Sequence, residues 1–205
     1  MGIAARTFEE EVAMLAGMDF ARGLLRVRGD TPGALVSLGV PDLPMIHTRA
    51  HAISEMTPGG WQGDGHGVEP SLLAALPRLL EDPVAVIESN SREGVLMVVL
   101  DASAGPHDEP LTAVIDPGVP LIGARDDERV NFVLSVYGRA QVIREVPDAV
   151  GRGEALLYDG PRFWSVASRC RRLPGTAPAA PPRAPMAHDG TDWSKMGARR
   201  GGRRP

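Results

Sequence analysis

Cysteine is almost missing. Cys170 is the only one in 205 residues, so neither an intramolecular disulfide nor a thiolate metal site can form. Lysine is as scarce, with Lys195 alone; the positive charge is otherwise arginine, the side chain suited to bidentate phosphate contacts, although genome base composition would produce the same bias. No run of about eighteen apolar residues occurs, and Glu9, Glu10 and Glu11 follow Arg6 where a signal peptide would have its apolar middle. A soluble, cytoplasmic protein without membrane contact is the expectation. A serine-hydrolase elbow, a phosphate-binding loop and a dinucleotide fingerprint are also lacking, which removes those enzyme classes.

With 43% hydrophobic residues the chain can bury one core, and the stretch after Cys170 shortens the foldable part to one domain of ordinary size. The net charge of −4 conceals an asymmetry: from Pro174 onward six basic residues face two acidic ones, so the tail carries +4 and residues 1–173 carry −8. That tail is a Pro/Ala spacer followed by Gly and Arg. It is too poor in apolar surface to fold, and disorder is expected over 171–205. Its arginines either touch nucleic acid in a salt-dependent way or serve only as a solubilising end. Trp193 is its one large apolar side chain.

The stretch from Gly65 to Leu100 organises the rest. His66 between two glycines leads into the leucine-rich segment Leu72 to Leu80, which Pro77 splits into two short helical turns, and that segment delivers the chain into two apolar strands. Strands are predicted at 84–89, 95–101, 111–116 and 131–137; short connections between neighbours make them an antiparallel meander. Before them the pattern predicts a helix from Phe8 to Val27, a short helix closed by Gly39 and another from His47 to Met56. After them come a helix over 140–151 and a short strand over 155–158. The expected fold is α+β, with N-terminal helices packed on an antiparallel meander sheet of about four strands. Residues 1–29 read as a helical extension, 30–170 as the domain and 171–205 as the tail.

Several short motifs, in order, carry a resemblance: Thr31-Pro32, Leu38-Gly39-Val40-Pro41-Asp42-Leu43-Pro44, His66-Gly67, Leu76-Pro77-Arg78-Leu79-Leu80-Glu81-Asp82-Pro83, Ser89, and Ser135-Val136-Tyr137-Gly138-Arg139. Over about residues 30–160 the chain resembles the phage MuF C-terminal domain, found in phage head-morphogenesis proteins and in the polymorphic toxins and polyvalent proteins of mobile elements. The resemblance implies a toxin-like domain of phage or prophage origin, virion-associated or delivered, with an immunity protein as partner. Such domains in turn resemble, in their helices-then-meander order, the barnase, EndoU, colicin and RelE-like group of metal-independent ribonucleases. A noncatalytic interaction or morphogenesis module is the alternative, and the acidic body suits it, since RNA-binding surfaces are usually basic.

Cleavage of RNA by its own 2′-hydroxyl needs a proton acceptor, a proton donor and cations for the phosphate. Histidine is the side chain whose ordinary pKa lies near working pH, and His66 sits in a loop with five glycines in nine residues, so it is the candidate acid or base; an idle surface histidine is the plain alternative. Arg139 after the fourth strand and Arg92 in the first hairpin turn are candidate phosphate contacts, each against the alternative of a solvated surface arginine. Ser135 and Tyr137, two apart on one strand, share a face. That face is expected to be the open one, because Phe132, Leu134 and Val136 make the better core stripe. Ser89 reads as a turn-former.

A metal site is the rival chemistry. His47 and His51 would share a helix face with His66 as a third ligand, but His-Thr-Arg-Ala-His lacks the glutamate a metalloprotease helix uses as base. No metal or cofactor is expected.

Overall fold

A computed structural model describes residues 6–58, 66–121 and 128–171. Loop residues 59–65 and the tail from 172, with Trp193 and its expected disorder, lie outside the described residues.

The chain begins with α1 (Phe8–Leu15), whose Thr7 and Glu10 form a reciprocal capping box. The helix predicted to reach Val27 stops there. Gly17 and Gly23 take φ of +83° and +105°, left-handed backbone that ends a helix, and Leu24–Arg28 becomes β1, alternating exposed Leu24 and Arg26 with buried Leu25 and Val27. A one-turn helix, α2 (Gly33–Val36), follows. The helix predicted from His47 also starts late. Met45–Thr48 is β2, and Thr48 caps α3 (Arg49–Met56) by accepting from the His51 N–H. The leucine segment forms the two expected turns, α4 (Pro70–Ala74) and α5 (Leu76–Leu79), with Leu73, Leu76 and Leu80 fully buried.

The meander is then laid down as β3 (Ala85–Glu88), β4 (Leu96–Ala104), β5 (Glu109–Pro120) and β6 (Arg129–Gly138). It is followed by α6 (Val142–Arg152), β7 (Ala155–Tyr158) and α7 (Gly160–Ala167). Among the described residues the sheet has seven strands in the order β1-β2-β6-β5-β4-β3-β7, rather than about four. It is mixed. β2 runs parallel to β6 through Met45 opposite Asn131 and Ile46 opposite Phe132, whereas the other neighbours are antiparallel.

Helices cover both faces, not one. The first core packs Phe8, Val12, Leu35, Ile53, Leu73 and Leu76 onto Val86, Val98, Ala113 and Val136. The second packs Val142, Val146 and Phe163 of α6 and α7 onto Ala85, Ile87, Met97 and Val99. The rows across the sheet follow from register: Val136, Ala113, Val98 and Val86 face the first core, while Tyr137 stands in line with Thr112, Val99 and Ala85 on the second face. The stripe expected on β6 is therefore broken. Ser135 pairs with Val114 but Val133 with Ile115, so Leu134 is an extra residue in a β-bulge that shifts the phase. Val133 and Val136 are buried, and Phe132 and Leu134 are only partly so.

Candidate functional site

β2 pairs with only the first part of β6, which leaves the second part, toward Tyr137, without a strand on that side. A strand edge there would expose unpaired backbone groups, and buried ones must be satisfied. Side chains from β2 and α3 do this. His47 Nδ1 donates to the Val133 carbonyl at 2.7 Å, and Glu55 Oε1 accepts from the Val136 N–H at 2.6 Å. The two side chains also meet, with His47 Nε2 3.1 Å from Glu55 Oε2, both essentially without solvent. Both imidazole nitrogens thus face acceptors, which the doubly protonated ring satisfies. Burial pulls the His47 pKa down, but the Glu55 carboxylate and the Val133 carbonyl outweigh it and the pKa is raised above 6.5. With both nitrogens engaged, His47 has none to offer the zinc site considered from its spacing with His51.

Glu55 also fixes the next segment of chain. Its backbone carbonyl accepts from the Val68 N–H at 2.9 Å, and Pro58 forms an antiparallel bridge with His66. The chain leaving α3 therefore returns beside the end of β6. There the His66 ring stacks on Tyr137, centroids 4.6 Å apart and planes 26° apart. Tyr137 Oη accepts from Arg139 Nη1 at 3.1 Å, and Arg139 is gripped by Glu145 on α6 through Nε at 3.2 Å and Nη2 at 2.8 Å. The Glu145 hydrogen bonds raise the already high Arg139 pKa, so the guanidinium is permanently charged. The cluster is close-walled. A Cβ on Gly105 would lie 3.7 Å from the His66 carbonyl oxygen and 3.1 Å from Glu109 Oε2, and one on Gly138 would collide with the Ala104 carbonyl at 2.6 Å.

Three of the five candidate side chains are thus joined in a chain from His66 through Tyr137 to Arg139. Residues 60–159 match the family model described as the Phage MuF-C-terminal domain. That stretch of the chain is similar to this family. No curated protein and no solved structure matches the chain.

The matched stretch contains His66, Tyr137, Arg139 and Glu145, while His47, Glu55 and the motif residues from Thr31 to Pro44 precede it. Those motif residues have a structural task. Thr31 Oγ1 and the Asn131 side chain hydrogen-bond each other and the carbonyls of Pro41 and Leu43, and Asn131 Oδ1 accepts from the Gly118 N–H at 2.9 Å, clipping the loop before β2 to β6. Of the remaining candidates, Ser135 shares Tyr137's face but makes no side-chain hydrogen bond among the described residues, its row running through Val114. Arg92 lies at the other end of the sheet: it is paired with Asp116 at 2.8 Å, and Asp116 stands opposite Phe132. Ser89 bonds Ser91 at 3.0 Å within its turn.

Two acids of the site were not singled out from sequence. Glu145 lies six residues after Arg139, across a strand-to-helix turn, and Glu55 eight after His47; neither spacing matches a motif. Among the described residues no three His, Cys, Asp or Glu side chains group as a metal site, and no helix is long and apolar enough to cross a membrane.

Proposed function

We propose that this domain is a toxin-like endoribonuclease of phage or prophage origin that cleaves RNA without a metal, using the 2′-hydroxyl as nucleophile. His66 accepts the 2′-hydroxyl proton as the O2′–P bond forms. Tyr137 gives its phenolic proton to the 5′-oxygen as the P–O5′ bond breaks, leaving a 2′,3′-cyclic phosphate and a 5′-hydroxyl. The observation that supports this is the stacked His66–Tyr137 pair with Arg139 on the phenol oxygen. A proton acceptor, a proton donor and a fixed cation there lie side by side at the end of one strand. Because the phenol oxygen accepts from Arg139, its own hydrogen is free to point at a substrate. Of the five N–H donors of a guanidinium, three are engaged by Glu145 and Tyr137, which leaves about two for phosphate. An immunity protein that covers this end of the sheet would be the natural partner.

A second reading, a noncatalytic phage interaction or morphogenesis module, is favoured by one observation: the cations are already neutralised, Arg139 by Glu145 and Arg92 by Asp116, on a body carrying −8. Induced expression of the wild type beside His66→Ala, in a host without an immunity gene, separates the two. Growth arrest with fragmented RNA, lost in the variant, supports the enzyme. Equal growth with folded protein in both lysates would move the assignment to the interaction module.

A further inference from the structure

The ribonuclease reading leaves Glu145 without a task. It is not a solvated helix charge: only 17% of its side chain is exposed, and both carboxylate oxygens are committed to Arg139. A carboxylate that merely balanced a cation would need one contact. A bidentate grip fixes the plane of the guanidinium, and the remaining nitrogen, Nη1, is then aimed at Tyr137 Oη. Glu145 comes from the first turn of α6, whose Val142, Val146, Ala149 and Val150 are buried against the sheet, so the grip is anchored to the rigid core. Carboxylate, guanidinium, phenol and imidazole follow one another without a gap.

We propose that Glu145 is a positioning residue for the Tyr137 hydroxyl, acting through Arg139. The proposal rests on the ribonuclease reading and deepens it. As the phenolic proton leaves for the 5′-oxygen, negative charge gathers on Tyr137 Oη, and the donor that meets it must already be in place. Glu145 holds it there. A cost accompanies this: the same carboxylate offsets the Arg139 charge that would otherwise attract phosphate, so the site gives up substrate affinity for a fixed proton donor.

The roles separate in kinetics. With a short oligoribonucleotide of saturable length, Glu145→Gln is expected to lower kcat by about tenfold or more while KM stays level or falls, because Arg139 is released toward phosphate. Tyr137→Phe is expected to lower kcat by on the order of a hundredfold. Adding Glu145→Gln to Tyr137→Phe should then change kcat by less than about twofold, since the hydroxyl it positions is gone. Glu154→Gln, which loses an exposed ion pair with Arg152 beyond the end of α6, serves as control and leaves activity unchanged. Thermal unfolding of each variant confirms folding; if Glu145→Gln does not fold, Glu145→Asp, which keeps the charge and shortens the reach, is scored in the same cycle. Full additivity of the two substitutions, or an unchanged kcat in a folded Glu145→Gln protein, overturns the proposal while the ribonuclease stands. A wild type that cleaves no RNA overturns both.

Discussion

Glu55→Ala offers the sharpest test of how the end of β6 is built. The carboxylate satisfies two buried partners at once, the Val136 N–H and the His47 ring, with Glu55 itself 2% and His47 0% exposed. Alanine leaves the amide without an acceptor, which costs about 1–3 kcal/mol, and leaves His47 without its counter-charge, so the whole falls in the range of about 3–5 kcal/mol for breaking a buried pair. For a domain of this size that is a drop in Tm on the order of 10 °C. Glu55→Gln keeps an acceptor for Val136 and can donate to neutral His47, so it should cost about 1–2 kcal/mol. The two variants also differ in pH dependence. His47 is raised above its ordinary 6.5 in the folded state, so its proton stabilises the fold. That contribution is complete below about 6.5 and is lost as pH rises through the higher folded value. The gap between wild type and Glu55→Gln, read from urea midpoints at a series of pH values, should therefore be widest in acid and narrow toward alkaline pH. A gap that stays constant or widens with pH, or a Glu55→Ala cost below about 1 kcal/mol, would refute the reasoning.

Other outcomes follow from single contacts. Gly138→Ala forces a methyl against the Ala104 carbonyl, where a Cβ would stand at 2.6 Å, and should destabilise by about 1–3 kcal/mol in a urea melt; on the ribonuclease reading proposed above it should also lower cleavage, because Tyr137 and Arg139 flank it. Asn131→Ala removes acceptor and donor from Gly118, Thr31 and Pro41 together, and is expected to cost about 2–4 kcal/mol by the same assay. Truncation after Arg171 deletes most of the concentrated positive charge; on the ribonuclease reading proposed above, RNA affinity measured by fluorescence anisotropy should fall, with a shallower dependence on salt, while cleavage of a saturating short substrate is retained. An unchanged salt slope would assign the arginines no part in binding.

The meander was legible because its strands are apolar, β-branched and separated by turn residues: Val84 to Ser89, Val95 to Leu100 and the strands after them are found where the alternation and turns put them. β1 and β2 were not. Each is five residues or fewer; β2 runs directly into α3, and the helical spacing of Met14, Met18, Ala21 and Leu25 carries past the end of α1 into β1. The bulge at Leu134 has no local signature, which is why Val136 was assigned to the core correctly and Phe132 and Leu134 were not. In the site, residue type pointed to His66, Tyr137 and Arg139, but their meeting depends on the bridge between Pro58 and His66 and on α3 lying along β6. Arg92 shows the converse. A candidate arginine in a hairpin turn gives no indication of which end of the sheet that turn will occupy.

The parallel pairing of β2 with β6 bears on the order in which the molecule assembles. Each meander strand meets its neighbour across a short turn, whereas His47 reaches Val133 only after the chain has closed a loop of 86 residues. Long closures are slow to form, so the four-strand meander is the natural nucleus and β1–β2 docks onto it late. Apolar truncations at Val98 or Ala113 should then slow refolding, with φ-values above about 0.5, and truncations at Leu25 or Met45 should mainly speed unfolding, with φ near zero. High φ at Met45 would reverse that order. On this sequence the strand bearing Tyr137 is paired early, and the side chains of His47 and Glu55 that seal its open flank arrive with the last element to dock.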